Sequence, residues 1–142
     1  MSRSFVLDCS ATLPWIFADE ARKDCDGLLR ELGKGAAAWV PALWHLELGN
    51  VLLGAMKHKR IDQAGIEIFL SNLGELDIRI DPETMKHAWV KTIDLGIQYK
   101  LTTYDAAYLE LALRQGFPLA TLDKGLVRAA RTSGVELCLG RA

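Results

Sequence analysis

Five short apolar runs with helical spacing between them constrain this chain more than any other feature. They are "SFVLDC" at 4–9, "AAAWV" at 36–40, the segment 76–80, "FPLATL" at 117–122 and "VELCL" at 135–139. Each reads as a short strand, and the intervening segments read as helices. The helical segments run over 11–33 with Pro14 tolerated in the first turn, 42–60, a stretch opened by Asp62, 82–96, 103–116 and 123–132. Strands separated by helices favour parallel pairing, because parallel neighbours need crossover connections and those crossovers cover the sheet. The pattern predicts a three-layer α/β/α sandwich with a mainly parallel sheet of about five strands. With 142 residues and 50% hydrophobic content, the expected organisation is a single domain over 1–142 with a real core.

The net charge of −1 supplies no global basic field, so any nucleic-acid partner must be held by local features. Cys9, Cys25 and Cys138 are odd in number and widely spaced, which argues against a disulfide framework and against a thiolate zinc site. The apolar run at the start is interrupted by Asp8 and is too short for a secretory segment, and no apolar stretch approaches a membrane span. The expectation is a soluble protein of the reducing cytoplasm, without a membrane role.

Ligands of parallel sheets bind beyond the carboxyl ends of the strands, which directs attention to acids that follow apolar runs. Asp8 follows "FVL" and Asp123 follows "PLATL". Each also precedes a helix, so each has an ordinary reading as a cap, with Ser10 a further cap candidate near Asp8. Asp105 lies two residues after Thr103, read as the cap of its helix, and its charge also suits the macrodipole. Glu47 is harder to assign to the surface. Helical spacing places it in line with Val40, Trp44, Val51 and Gly54, so it lies in an apolar stripe and needs a partner. An Arg or Lys is the ordinary partner; Asn50, one turn on, is a candidate to orient it. His45 falls on another line and reads as a core or interface histidine, and neither His58 nor His87 shows ligand spacing.

Taken together, Asp8, Glu47, Asp105 and Asp123 supply carboxylates from two strand ends and two helices. Two unit charges about 5 Å apart repel by roughly 3 kcal/mol at an effective dielectric of 20. Four such groups need a cation or protons. An all-oxygen donor set suits Mg²⁺, with Mn²⁺ as substitute. A metal there would activate water for attack on a phosphodiester.

The quoted motifs resemble those of PIN-domain nucleases, and within them the VapC-type toxins of toxin–antitoxin pairs. "VLDCSA" at 6–11 is similar to the first acidic motif, "ELGNVL" at 47–52 to the second, "TTYDAAYLELAL" at 102–113 to the third and "LATLDKGL" at 119–126 to the fourth. The resemblance spans nearly the whole chain. It implies a metal-dependent endoribonuclease with Asp8, Glu47, Asp105 and Asp123 as the acidic site and Ser10 and Asn50 as supporting residues. It also implies an RNA substrate, a homodimer and a small antitoxin partner. Cys9, inside the first motif, reads as a small buried residue, since no His is placed to activate it.

Two alternatives stand beside this reading. A haloacid-dehalogenase-like phosphatase would use Asp8 as nucleophile with Lys124 assisting, but leaves Glu47 and Asp105 unexplained. A non-catalytic binding module would use the same acids as caps and salt bridges. Trp15, Ile16, Phe17, Trp39 and Trp44 are read either as core or as an apolar docking face, and Lys57, Lys59 and Arg60 as phosphate contacts or a plain basic helix end.

Overall fold

The structure, a computed structural model, describes residues 3–139. Strands β1 (Ser4–Leu7), β2 (Ala37–Val40), β3 (Ile78–Ile80) and β4 (Leu119–Ala120) form one sheet in the order β3-β2-β1-β4. All three pairings are parallel, with Val6 opposite both Trp39 and Leu119 and Leu7 opposite Ala120. Phe5, Val6 and Leu7 of β1 are buried, as expected for a central strand covered on both faces. Chain order reverses at β1, whose neighbours are β2 on one side and β4 on the other. That reversal is the position at which parallel α/β sheets open a crevice for ligands.

The predicted fifth strand is reduced to a single parallel bridge between Leu137 and Leu119. Leu119 donates to the Glu136 carbonyl at 2.8 Å and Cys138 donates to the Leu119 carbonyl at 2.9 Å. Since β4 has only two residues, it offers a ladder no longer than that.

The helices are α1 (Cys9–Thr12), α2 (Lys23–Gly33), α3 (Trp44–Lys57), α4 (Gln63–Leu73), α5 (Thr84–His87), α6 (Ile93–Tyr99), α7 (Thr103–Gln115) and α8 (Lys124–Ser133). The continuous helix expected over 11–33 is instead α1, two 3₁₀ turns at Leu13–Trp15 and Ala18–Glu20, and α2. Pro14 cannot donate within the helix, and the chain then turns extended at Phe17. Arg60 holds the displaced turn, donating to Asp19 and Glu20 at 2.9 and 3.0 Å while its guanidinium lies 4.0 Å over the Phe17 ring.

The segment expected to end at Gly96 runs on through a π turn at Ala88–Thr92 and through α6 to Lys100, which adopts the left-handed conformation at φ 56°. Gly96 is therefore inside a helix, and its role is close approach. A Cβ there would stand 3.0 Å from the Leu101 carbonyl oxygen. The cap of α7 is Thr102 rather than Thr103; its hydroxyl accepts from the Asp105 N–H at 3.1 Å. Gly116 closes α7 and Gly134 closes α8, both with positive φ, as their positions predict.

Of the two readings open for the aromatic residues, the structure favours core packing for most of them. Trp44 and Phe17 are buried, Trp15 and Trp39 are partly buried, and His45 is exposed with Trp44 edge-on to its ring. The exposed aromatics are Trp89, at 88%, and Tyr104, at 63%. Among the described residues no helix is long and apolar enough to cross a membrane.

Candidate functional site

Asp8 is the first residue beyond β1, and Thr121 is the first beyond β4. Parallel pairing of Leu7 with Ala120 makes them neighbours, and the Asp8 N–H donates to the Ala120 carbonyl at 3.0 Å. Asp8 occupies the cap position of α1, yet its side chain makes no cap hydrogen bond. Instead Oδ2 accepts from the Ser10 hydroxyl at 2.6 Å and from the Thr121 hydroxyl at 2.8 Å. Ser10 in turn accepts from the Leu122 N–H at 2.8 Å, and Thr121 from the Asp123 N–H at 3.1 Å. Two hydroxyls that each have a backbone donor thus direct their protons at one carboxylate oxygen. Sequence reasoning named Ser10 and missed Thr121. The available signal was its position, first after a short apolar run and two residues before Asp123.

Asp8 is only 6% exposed, and burial pushes its carboxyl above the ordinary aspartate range. The hydroxyls and a backbone N–H oppose that shift, while the charge of Asp123 adds to it. Asp105, in the first turn of α7, is raised by burial and then by the charges of Asp123 and Asp8. Glu47, in the first turn of α3, is raised by burial, then by Asp8 and Asp105, against one favourable partner. That partner is Tyr108 of α7, whose hydroxyl donates to Glu47 Oε1 at 2.5 Å. It replaces the Arg or Lys that ordinary packing would supply. Among the described residues no basic side chain offsets Asp8, Glu47 or Asp105.

The fourth acid has a second occupation. Asp123 caps α8, with Oδ2 accepting from the Leu126 N–H at 2.9 Å, so the capping reading holds for it while its charge still bears on Asp8 and Asp105. Asn50 is exposed and makes no side-chain hydrogen bond among the described residues, so it does not orient Glu47 here. Cys9 is buried, and burial followed by the charges of Glu47 and Asp8 pushes its thiol far up. It stays protonated and is no nucleophile. Arg60, at the end of the basic run, pairs with Asp19 and Glu20.

The donor chemistry fits a hard divalent cation. The groups are carboxylates and hydroxyls, and their mutual repulsion has no internal counter-charge among the described residues. Nor do any three described Asp, Glu, His or Cys side chains close around one point as a ready-made cage. Oxygen donors of this kind are the ones that hard divalent cations accept.

No curated protein matches the chain. Among solved structures, PAE2754 from Pyrobaculum aerophilum is 23% identical with a TM-score of 0.66, over 91% of this chain and 86% of that one. A toxin-antitoxin complex from Klebsiella pneumoniae gives 18% identity and a TM-score of 0.58, over 95% of this chain and 98% of that one. At these identities the likeness is one of fold. The family described as PIN domain matches residues 5–132, a span that begins at β1, takes in Asp8, Glu47, Asp105 and Asp123, and ends in α8. The chain belongs to the PIN-domain family.

Proposed function

We propose that this chain is a metal-dependent endoribonuclease and the toxin of a toxin–antitoxin pair. One observation carries the reading: Asp8, Glu47 and Asp105 repel one another at the switch point of a parallel sheet with Asp123 adding its charge, and no described basic side chain answers those three. Membership of the PIN-domain family, whose members are typically nucleases, supports the reaction class and sets aside the phosphatase alternative. The toxin-antitoxin complex among the structural neighbours supports an antitoxin partner.

In this reading Asp8, Glu47, Asp105 and Asp123 hold Mg²⁺, with Mn²⁺ as substitute. When bound, the ion supplies a water of lowered pKa and neutralises charge developing on the scissile phosphate. The residues of the chain do the rest. Ser10 and Thr121 fix the plane of the Asp8 carboxylate, and burial of Asp8 against β4 keeps bulk water from its inner oxygen. Asp123 ties the site to α8 through its cap and adds negative charge at the rim. The proposal includes a homodimer and action in the cytoplasm, where RNA and an antitoxin meet.

The test uses purified protein and single-stranded RNA. Cleavage with Mg²⁺ or Mn²⁺, its loss in EDTA and its loss in Asp8→Asn are expected. No cleavage with either ion, or full activity in Asp8→Asn, overturns the nuclease reading. Growth arrest on expression, relieved by a small protein encoded beside this chain, is expected for the toxin role; normal growth with soluble, metal-loaded protein overturns that role alone.

A further inference from the structure

Tyr108 belongs to the stretch "TTYDAAYLELAL" but has no part in the acid set. It is fully buried, at 0% exposure, on the stretch of α7 from Ala106 to Ala112 that is buried throughout. A phenol hydroxyl removed from water must find a partner; the side chain it donates to lies on a different helix, 61 residues earlier, and the Cys9 thiol lies beside the same hydroxyl. Asp105 and Tyr108 are three positions apart, which places them on one face of α7. This helix thus presents a carboxylate of the acid set and, one turn on, the group that grips another carboxylate of the same set.

Glu47 needs that grip more than Asp8 does. Its side chain is longer, it is only half-buried, and Asp8 and Asp105 both repel it. Among the described residues the Tyr108 hydroxyl is its one attractive partner, and it engages Oε1 alone. Oε2 accepts from no described group.

We propose that Tyr108 is a positioning residue: its buried hydroxyl fixes Oε1 of Glu47 and thereby presents Oε2 to the divalent cation shared with Asp8 and Asp105. The inference rests on the metal reading above. It assigns the bond between α3 and α7 a role in ion affinity, beyond satisfying a buried phenol. Partners of this kind, which orient a ligand without touching the ion, typically change metal affinity by about ten- to a hundredfold.

The test is Mn²⁺ binding measured by calorimetry on the full chain. Tyr108→Phe removes only the hydroxyl and is expected to weaken Mn²⁺ binding about tenfold. Glu47→Gln weakens it further, and adding Tyr108→Phe to Glu47→Gln changes nothing more, because the hydroxyl bears on the ion through the Glu47 carboxylate and Cys9 is no ligand. Leu113→Ala, which thins packing on the same helix, lowers stability and leaves Mn²⁺ affinity unchanged, as a merely structural role of Tyr108 would also do. Mn²⁺ affinity within twofold of the parent in Tyr108→Phe overturns the positioning role, and so does additivity with Glu47→Gln. A parent protein that takes up no Mn²⁺ overturns the metal reading and this proposal with it, so the two failures are distinct. A second measurement does not depend on the folding of Tyr108→Phe. The chain has three tyrosines, so 3-fluorotyrosine labelling gives three fluorine resonances, assigned with Tyr99→Phe and Tyr104→Phe. Mg²⁺ is expected to shift the Tyr108 resonance in the parent and to leave it unmoved in Glu47→Gln; an unmoved Tyr108 resonance in the parent overturns the proposal.

Discussion

Arg114 near the end of α7 grips Asp81, the residue after β3, through two hydrogen bonds of 2.6 and 3.2 Å. The same guanidinium donates to Glu110, one turn back, at 2.8 and 3.0 Å. Asp81 also accepts from the Thr84 hydroxyl and the Glu83 N–H. The helix that begins at the acid site is therefore anchored at its far end to an edge strand of the sheet. Burial alone would raise the Asp81 carboxyl, but Arg114 and these donors outweigh it and hold the group below the ordinary value.

Arg114→Met should be strongly destabilising. It leaves Asp81 and Glu110 buried without their cation, and removal of one partner from such a pair costs about 3–5 kcal/mol. Urea denaturation at neutral pH measures it. A loss below about 1 kcal/mol would mean that the network contributes only surface-like pairing.

The acid cluster sets a pH dependence of the opposite sense to that of Asp81. Asp8, Glu47 and Asp105 are raised in the folded chain, so folding binds protons that the unfolded chain has released. Their contribution is complete below the unfolded values of about 4 and is lost as pH rises through the folded ones. Metal-free protein should lose stability from about pH 4 toward neutrality, and Mg²⁺ should restore it. Asp8→Asn should flatten that slope and leave metal-free stability at neutral pH equal or higher, while cutting cleavage by about a hundredfold or more. Asp81 contributes in the other direction, its stabilisation being lost only as pH falls below the ordinary aspartate value of 3.8. Denaturation midpoints in EDTA across this range separate the two.

Thr121→Val keeps the shape and removes one of the two hydroxyls on Asp8 Oδ2. A hydrogen bond to a charged, buried acceptor is worth about 1.5–3 kcal/mol, so Asp8 should titrate higher still and cleavage should fall by roughly tenfold or more. Ser10→Ala should behave alike, since Ser10 is the other donor. Unchanged activity in both would mean that the orientation of Asp8 is set by the backbone alone.

Lys124 and Arg128 are exposed, stand one turn apart on α8 and follow closely on Asp123. The Arg128 guanidinium folds back toward Gly125, lying 3.9 Å from where a Cβ on that glycine would stand. Replacing both by Ala in an Asp8→Asn background should weaken single-stranded RNA binding and lower the salt slope by about 0.7 for each phosphate no longer neutralised. Fluorescence anisotropy across a salt series reads both.

The alternation of apolar runs with helical segments, the acids that follow strands β1 and β4, and the glycine stops at Gly116 and Gly134 were all legible in the sequence. Each depends on local chemistry: side-chain period, a charge breaking an apolar run, or a residue free to take positive φ. What tertiary structure alone decided is which partner each buried polar group finds. Thr121 meets Asp8 across 113 residues and Tyr108 meets Glu47 across 61. The helix expected over 11–33 broke because Pro14 interrupts it and Arg60, 40 residues from Glu20, holds the turn that follows. The aromatic residues are divided in the same way: Trp44 is buried and Trp89 exposed, although both lie in helical segments. A pattern of apolar and polar residues specifies which face turns inward. The pairing of one buried hydroxyl with one carboxylate is specified only when the sheet register and helix packing bring their atoms within hydrogen-bond distance.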